Sequence, residues 1–447
     1  IMPLNVKAHF EAAGWKVMEV NGHDFQDIWR VLGEADAHTG SPVLLLGHTI
    51  MGFGGGPIEK DGREDKATWH GKSPGEELGK EVLAFLQLTS QEDARIDAFK
   101  LLIKWRPEKP IFTPHGTLIR VDTGVSIEYA AEVKTDCRSA YGSALKDLGE
   151  RNKQVLVFDA DLVESVKTGA FEKACPERFF ECGIAEQHMV SCAGGASLDG
   201  FIPFASTFGA FMTSRAKDQA RVNDINNTNV KMVATHCGLS VGEDGPTHQA
   251  IDDMGSLRGF FNTVVLEPAD PNHTDRIIRY IASHYGNFYV RMGRHKVPVL
   301  TKEDGSVFYD AKYQFVPGKF DLLRKGSQVT LIVSGPMVCK ALKVREELGK
   351  KVSVEIIIAH SPTRLDEKLL IASAKKTGRV ITLEDHNPYT GIGSQIAAFF
   401  MEEGVNVKFH RMGVTAYQLS GQPEELYENA GIGNVDIVKA ILKIMKK

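Results

Sequence analysis

The sequence predicts an α/β protein built from consecutive domains, each with a parallel sheet and crossover helices. Short β-branched and apolar runs of four to eight residues alternate with helix-length segments along the chain. Strands that alternate with helices favour parallel sheets. Polar and charged residues follow several of these runs directly, and open α/β sheets bind ligands at the carboxyl ends of their strands. The pattern therefore predicts an enzyme-like site at one sheet edge.

The bulk composition narrows the class of protein. The 447 residues are 43% hydrophobic, which is enough for the cores of several domains. The net charge of −4 gives no reason to expect nucleic acid or a membrane surface as a partner. No apolar stretch approaches the ~20 residues of a spanning helix. Six cysteines without a CxxC pair indicate reduced thiols, so we expect a cytoplasmic protein. The first residue is Ile1, so we expect that leading residues were cleaved or lie outside this sequence.

The first predicted unit spans residues 1–110. Strands are expected at Trp15–Val20 and Pro42–Leu46, with a helix at Asp24–Glu34 between them. Two strands and one helix make a poor core, so the unit resembles the closing part of a larger, incomplete domain. Residues 111–128 are predicted to be a linker.

The second and third units are predicted at residues 129–300 and 326–447, separated by a polar linker at 301–325. The second unit has strand candidates at Lys153–Phe158, Asn229–Thr235, Thr263–Leu266 and Asn287–Val290. The third unit has strand candidates at Gln328–Val333, Lys351–Ile358, Arg379–Leu383 and Val405–Phe409. No internal repeat is visible.

The strongest functional signal is a set of motifs in the second unit. They are Gly-Ile-Ala-Glu-Gln-His at 183–188, Ser-Thr-Phe at 206–208, Thr-His-Cys at 235–237 and Gly-Glu-Asp-Gly-Pro-Thr-His at 242–248. Together they resemble the pyrimidine-binding domain of thiamine-diphosphate enzymes, and most closely the transketolases. The resemblance covers essentially the whole chain, which corresponds to about the last two-thirds of the family's length. It implies that the cofactor is the nucleophile and that the protein binds and orients it.

The resemblance assigns the cofactor contacts. Glu186 would hold N1′ of the aminopyrimidine and start the cofactor's ionisation, although a lone glutamate at a helix start is more often a cap or a solvated side chain. Phe208 and Phe211, at the start of a helix-like run, would face the flat pyrimidine, although phenylalanine more often packs in a core. Asp161 would lie near the cofactor or merely form an Asx turn after its strand.

Three residues at spacings of 8 and 4, His236, Asp244 and His248, are candidates for substrate binding. The glycines and proline between them indicate a loop, and zinc sites usually add another histidine or cysteine, so we do not predict a metal here. The resemblance implies that Asp244 binds the C2 hydroxyl of the sugar. The two histidines would contact the other hydroxyls and the acceptor, with His248 counted among the catalytic groups.

A phosphate clamp is predicted from Arg138, Ser165 and Arg294, with His236 close to it. A guanidinium fork suits a terminal phosphate dianion, and a serine hydroxyl adds a donor. Each arginine alone would be interpreted as a solvated surface charge. Arg291 competes with Arg294 for the third position, and the sequence leaves the choice open.

In the first unit, Trp-His-Gly-Lys at 69–72 resembles the turn whose imidazole touches the cofactor diphosphate and lies near the reacting carbon. His70 is therefore predicted to be catalytic and cofactor-binding. The glycine loop at 49–56 resembles the loop that precedes this turn. The family commonly has a lysine where this chain has His48, and a mostly neutral imidazole offers less charge to an anion. The role of position 48 is thus in question.

The sequence contains no Gly-Asp-Gly, the start of the family's segment that holds the divalent metal. No metal ligand is therefore predicted in this chain. Thiamine diphosphate and Mg²⁺ (or Ca²⁺) are expected only in the complete enzyme, and the chain alone should be inactive. We also expect the loops around His70 and Glu243 to be poorly ordered without ligand.

The predicted function is transketolase, the transfer of a two-carbon ketol unit between sugar phosphates. The family implies a homodimer with the active site between subunits. The alternatives are 1-deoxyxylulose-5-phosphate synthase, which shares the Gly-Ile-Ala-Glu-Gln-His and Gly-Pro-Thr-His motifs, and a non-catalytic relative or truncated form without the metal site. The pair Thr235-His236 and the order Trp-His-Gly-Lys favour transketolase.

Overall fold

A computed structural model describes residues 4–86, 90–102 and 113–446 of the protein. The chain divides into two compact units, Ile1–Pro110 and Ile111–Lys447, and each is described by itself. The predicted class of α/β domains with parallel sheets is confirmed. Residues 103–112, where the first predicted domain ends and the first predicted linker begins, lie outside the described residues.

The first unit contains one small parallel sheet and several helices. Its elements are α1 (Val6–Ala12), β1 (Lys16–Asn21), α2 (Phe25–Asp36), β2 (Val43–His48), α3 (Pro57–Arg63), α4 (Glu76–Phe85) and α5 (Ser90–Leu102). Strands β1 and β2 pair in parallel, and each lies within about two residues of its predicted position. Asp24 caps α2 by accepting the N–H groups of Gln26 and Asp27. On the same helix Phe25 and Trp29 are 89% and 81% exposed, so the described unit leaves an aromatic face of α2 uncovered.

The second unit begins with a six-stranded sheet in which every strand pair is parallel, in the order β5-β4-β6-β7-β9-β8. Its strands are β4 (Val155–Asp159), β5 (Phe179–Glu181), β6 (Ile202–Phe208), β7 (Lys231–Thr235), β8 (Thr263–Leu266) and β9 (Asn287–Arg291), with a short antiparallel pair of β3 (Lys134–Thr135) and β10 (Val297–Pro298) beside it. The helices are α6 (Cys137–Arg151), α7 (Val163–Val166), α8 (Gly169–Ala174), α9 (Glu186–Leu198), α10 (Gly209–Ser214), α11 (Lys217–Ile225), α12 (Asp253–Leu257) and α13 (Pro271–Ser283). Strands β5 and β6 were not predicted from the sequence.

The rest of the second unit is a five-stranded sheet in the order β11-β13-β12-β14-β15, with β11 antiparallel and the others parallel. Its elements are β11 (Asp321–Arg324), β12 (Val329–Val333), α14 (Met337–Leu348), β13 (Val354–Ile358), α15 (Glu367–Thr377), β14 (Arg379–Leu383), α16 (Ile392–Glu402), β15 (Lys408–Met412), α17 (Pro423–Asn429) and α18 (Asn434–Lys446).

Two predictions for this part of the chain are wrong in detail. The last strand runs over Lys408–Met412 rather than Val405–Phe409, because Arg379 pairs with Lys408 while Val405 and Val407 pack on the core before the strand begins. The segment predicted as a linker at 301–325 contains β11, which pairs with β13 at the edge of the sheet. No helix within the described ranges is long and apolar enough to cross a membrane.

Candidate active site

Four neighbouring parallel strands of the six-stranded sheet bring the predicted residues to one edge. Strands β4, β6, β7 and β9 are adjacent in the order of the sheet. Asp161 and His236 follow β4 and β7, Phe208 ends β6, and Arg294 follows β9. Because parallel strands end at the same edge, this edge is the candidate site.

Four aromatic side chains form a cluster at this edge, here called the aromatic cluster: Phe208, Phe211, His236 and His248. The His236 ring stacks on Phe208 with 3.8 Å between ring centroids, and the Phe211 ring stacks at 5.6 Å from Phe208. His248 meets Phe211 edge-on at 5.1 Å. Both phenylalanines lie at the start of a helix, as expected: Phe208 is the last residue of β6 and the N-cap of α10, and Phe211 lies in the first turn of α10. The cluster offers flat apolar faces for a planar ring.

His236 is held as a neutral imidazole. Its backbone has a left-handed φ of 58°, and its Nδ1 lies 2.9 Å from the Thr235 hydroxyl. Burial, reinforced by the positive charges of Arg138 and Arg294, lowers the pKa of His236 to about 3. Nε2 lies 3.4 Å from Nη1 of Arg138, a donor, so Nε2 is the acceptor and the ring proton belongs on Nδ1.

The three residues of the predicted phosphate clamp lie together. Nη1 of Arg138 donates to the Ser165 carbonyl at 2.9 Å, and Nη2 donates to the Arg294 carbonyl at 2.8 Å. Asp136 forms an ion pair with Arg138 at 3.2 Å. Ser165 thus contacts Arg138 through its backbone, whereas the prediction concerned its hydroxyl. Arg138 is positioned by this set of contacts.

Arg294 joins the clamp to the loop that carries Asp244. Its side chain is 40% exposed, and its Nη1 donates to the Val241 carbonyl at 2.9 Å and to the Glu243 carboxylate at 3.2 Å. The Asp244 carboxylate lies 3.9 Å from the same nitrogen and is itself exposed. Asp244 and Arg294 therefore lie side by side, where a sugar hydroxyl and a phosphate of one ligand could both be bound.

Arg291, the competitor of Arg294, has a different environment. It is fully buried, and its Nε donates to Asp253 at 2.8 Å. Its other nitrogens bond Glu267 and the carbonyls of Ala250 and Asp385. Arg291 is thus fully buried against two buried carboxylates, Asp253 and Glu267, whereas Arg294 is partly exposed, which favours Arg294 as the ligand-binding arginine.

Glu186 is the first residue of α9, yet its side chain does not cap that helix. The residue is 2% exposed, and its Oε1 accepts a hydrogen bond from Nη1 of Arg215 at 2.7 Å. The Arg215 guanidinium also lies over the Phe211 ring, 4.2 Å from its centre. Sequence analysis missed Arg215, because an arginine in the turn after a helix has no local feature that reveals its partner. Through Arg215, Glu186 joins the aromatic cluster.

Asp161 does not contact the other predicted residues of this sheet edge. Asp161 is exposed with a left-handed φ of 59°, and its backbone N–H donates to Glu181 at 2.8 Å. The turn after β4 is instead closed by Asp159, which accepts the Leu162 N–H at 2.9 Å. Asp161 thus remains a prediction from the resemblance alone.

His70 and His48 belong to the first unit. The His70 side chain is exposed, and its backbone N–H bonds the Ala67 carbonyl at 3.1 Å. His48 contacts Glu19 of the neighbouring strand, with Nε2 2.8 Å from the carboxylate. The His48 side chain therefore has a partner within its own sheet, and a cofactor role for His70 stays a prediction.

Among the residues that the structure describes, His273, Asp321 and His360 form a group whose potential metal-ligating atoms lie within 4.8 Å of one another. The Ala269 N–H donates to Nδ1 of His273 at 3.2 Å, so the proton of the neutral ring lies on Nε2. A metal-binding histidine instead donates from its other nitrogen and ligates with a free lone pair. We therefore do not assign a metal ion to this group.

The arrangement suits an aminopyrimidine. Glu186 is a buried carboxylate of the kind that binds a protonated or proton-sharing ring nitrogen, and Phe208 and Phe211 supply aromatic faces beside it. These features lie within one continuous run of contacts. The residues that the structure describes at this site thus fit the pyrimidine half of thiamine diphosphate.

Comparison with known proteins finds three transketolase domain models that match the chain. Family models match residues 2–86 (transketolase, thiamine diphosphate binding domain), 133–299 (transketolase, pyrimidine binding domain) and 318–437 (transketolase, C-terminal domain). Transketolase of Mus musculus is 33% identical over 443 residues, which are 98% of this chain and 67% of the mouse protein. The chain thus spans about two thirds of that relative's length.

Two solved structures resemble the chain over different shares of its length. One, described as a split gene transketolase in an inactive β4 tetramer, is 37% identical with a TM-score of 0.63 and covers 70% of this chain and 99% of its own. Transketolase from Campylobacter jejuni has a TM-score of 0.72 over 99% of this chain and 69% of its own. At 22% identity, the second likeness shows the fold alone.

Proposed function

The chain belongs to the transketolase family, and we propose that it provides the pyrimidine-binding and substrate-binding part of a transketolase. Such an enzyme transfers a two-carbon ketol unit from a ketose phosphate to an aldose phosphate with the help of thiamine diphosphate. The proposal rests chiefly on one observation: a single run of contacts joins the buried carboxylate to the cationic clamp.

The run of contacts passes through the aromatic cluster. Its members, in order, are Glu186, Arg215, Phe211, Phe208, His236, Arg138 and Arg294, and each contacts the next. The carboxylate and the aromatic faces suit the pyrimidine, while the two arginines suit a phosphate dianion. A site of this kind holds a heteroaromatic cofactor and an anionic substrate next to each other.

The chain's own residues would then have separate tasks. Glu186 binds the ring nitrogen of the aminopyrimidine and exchanges a proton with it, and Phe208 and Phe211 orient the ring. When bound, thiamine diphosphate supplies the nucleophilic carbon and stores the electrons of the cleaved bond. His236, neutral at physiological pH, hydrogen-bonds substrate oxygens without adding charge. Asp244 accepts a hydrogen bond from a substrate hydroxyl, and His248 lies next to the cluster to contact another.

The phosphate of the sugar would be bound by Arg138 and Arg294. Arg138 is fixed by two backbone carbonyls and an ion pair to Asp136, so it presents its charge at little further loss of entropy. Arg294 is more exposed and can move to meet the ligand. Arg294 offers a planar guanidinium group of the kind that binds phosphate oxygens in a bidentate manner, and Arg138 adds its positive charge beside it.

The diphosphate and its metal would be held by residues other than those of this site. We propose that the active form is a homodimer, that it includes a segment supplying metal ligands, and that it works in the cytoplasm. The similar chain from a split gene transketolase forms a tetramer described as inactive, which agrees with a requirement for complementary residues. In the family context such residues bind Mg²⁺ through hard oxygen ligands.

The test is a two-carbon transfer assay with a ketopentose phosphate and an aldopentose phosphate, thiamine diphosphate and Mg²⁺. The chain is assayed alone and together with a transketolase segment that carries the diphosphate-binding residues. We expect transfer only in the combination, and its loss in Glu186→Gln. Absence of both transfer and thiamine diphosphate binding in every combination would refute the proposal and favour a non-catalytic relative.

A further inference from the structure

Arg215 contacts two residues of the candidate pyrimidine site, Glu186 and Phe211. Its Nη1 donates to Oε1 of Glu186 at 2.7 Å, and its guanidinium carbon lies 4.2 Å from the centre of the Phe211 ring. The arginine follows α10, the helix that carries Phe211, and it reaches across to the first residue of α9. One side chain thus connects the carboxylate to the aromatic wall.

The burial of the two partners differs. Glu186 is 2% exposed, whereas the Arg215 side chain is 45% exposed. A buried carboxylate is unfavourable unless it is paired and hydrogen-bonded, so Glu186 depends on this contact far more than Arg215 does. The ion pair therefore fixes a buried carboxylate by means of a partly exposed arginine.

The contact leaves Glu186 able to bind a ligand. A carboxylate has two oxygens and about four acceptor positions, and Arg215 contacts Oε1. The cation–π contact with Phe211 and the hydrogen bond to Glu186 together limit where the guanidinium group can lie. In this geometry Arg215 can orient Glu186, and Glu186 can bind the ligand.

We propose that Arg215 is a positioning residue, which sets the orientation of the Glu186 carboxylate for the aminopyrimidine of thiamine diphosphate. This inference rests on the proposed function. Arg215 acts through Glu186 and Phe211 on the pyrimidine half of the cofactor and leaves the diphosphate half to other residues. Its removal should thus weaken binding of the pyrimidine selectively.

The experiment measures dissociation constants by calorimetry on this chain combined with the transketolase segment that carries the diphosphate-binding residues. The probes are thiamine diphosphate and inorganic pyrophosphate, each with Mg²⁺. We expect Arg215→Ala to weaken thiamine diphosphate binding by about tenfold, as does the loss of an orienting partner at other sites. Binding of pyrophosphate should be unchanged. Arg215→Lys should recover part of the affinity, because it keeps the charge but loses the planar guanidinium group.

Two further variants show whether Arg215 acts through Glu186. In the Glu186→Ala background, Arg215→Ala should have little additional effect, which is the signature of two coupled residues in a double-mutant cycle. Arg221→Ala, an exposed arginine on the next helix, is the matched control and should bind both probes as the unsubstituted chain does.

The outcomes separate the inference from the proposed function. If the unsubstituted combination binds no thiamine diphosphate, the proposed function fails and the inference falls with it. If it binds normally but Arg215→Ala binds equally well, the inference alone is overturned. Tighter binding in Arg215→Ala would also overturn it, because Arg215 would then block the pocket. Equal weakening for both probes would indicate a general structural defect and count against a positioning role.

Discussion

Substitution of Arg294 by alanine tests the phosphate clamp with little damage to the fold. The side chain is 40% exposed, and its hydrogen bonds go to the Val241 carbonyl and the Glu243 carboxylate of an adjacent loop. Arg138 is less suitable, because its side chain is largely buried, bonds two backbone carbonyls and pairs with Asp136. The Arg294→Ala protein should therefore fold normally.

The expected size of the effect follows from the contact that would be lost. A hydrogen bond to a charged group contributes roughly 1.5–3 kcal/mol. Each 1.4 kcal/mol is about a factor of ten, so KM for a phosphorylated donor should rise by roughly 10- to 150-fold. Loss of the exposed Arg294–Glu243 ion pair should affect stability little, because surface pairs contribute about 0–1 kcal/mol.

The assay compares a phosphorylated ketose donor with an unphosphorylated one in the active combination of chains. Arg294→Ala should raise KM for the first and leave the second nearly unchanged. Arg364→Ala, which removes an exposed arginine from the C-terminal sheet region, is the matched control. An equal change in KM for both donors would refute the assignment of Arg294 to the phosphate.

Three other outcomes are expected. Glu186→Gln should lower the rate by ~10²–10⁴-fold, as loss of an acid–base group does, while C2 proton exchange measured by NMR slows in parallel; unchanged exchange would contradict its role. Asp244→Ala should relax the preference between D- and L-hydroxyaldehydes, because a site built around a hydroxyl discriminates by it, and an unaltered enantiomer ratio would argue against this contact. Burial lowers the pKa of His360 to about 3, so the unfolded chain binds an extra proton between about pH 6.5 and pH 3, and acid destabilises the fold through this group. Between about pH 6 and pH 4 the free energy of unfolding of the unsubstituted chain should therefore fall by about 1.4 kcal/mol more per pH unit than that of His360→Gln, as measured by urea unfolding of both proteins. Identical slopes of this free energy against pH would show that the ring is protonated in the fold.

The sequence predicted the aliphatic strands well and the polar ones poorly. Thr263–Leu266 and Arg379–Leu383 have the bounds expected from their β-branched runs. Strand β6 was missed because Ile202–Phe208 contains a proline and small polar residues, and its burial depends on two neighbouring strands. Strand β15 was displaced by three residues, because it is a mostly polar edge strand whose start is set by pairing with β14. Pattern alone cannot show such pairing.

The residues of the candidate site were also predicted unevenly. Residues that end strands or occupy the loops after them, such as Phe208, His236 and Asp244, carry motif signals and come together at one edge. Their supporting partners lie at the ends of helices, Arg215 after α10 and Asp136 before α6, and no local signal shows what they contact. Arg215 and Asp136 fix Glu186 and Arg138, respectively, through contacts that only the tertiary fold creates. Sequence analysis thus identified the ligand-facing groups and missed the groups that hold them.

Arg291 and Arg294 show the physical reason why sequence alone does not reveal such partners. The two arginines are three residues apart at the end of β9, and no local pattern distinguishes them. The difference arises from Asp253 and Glu267, two buried carboxylates that lie 38 and 24 residues away in sequence and pair with Arg291. Removal of Arg291 would leave both carboxylates buried without their cation, which costs about 3–5 kcal/mol for a buried pair. Arg291 is therefore committed to the fold, and Arg294, which lacks a buried carboxylate partner among the described residues, is free to serve a ligand.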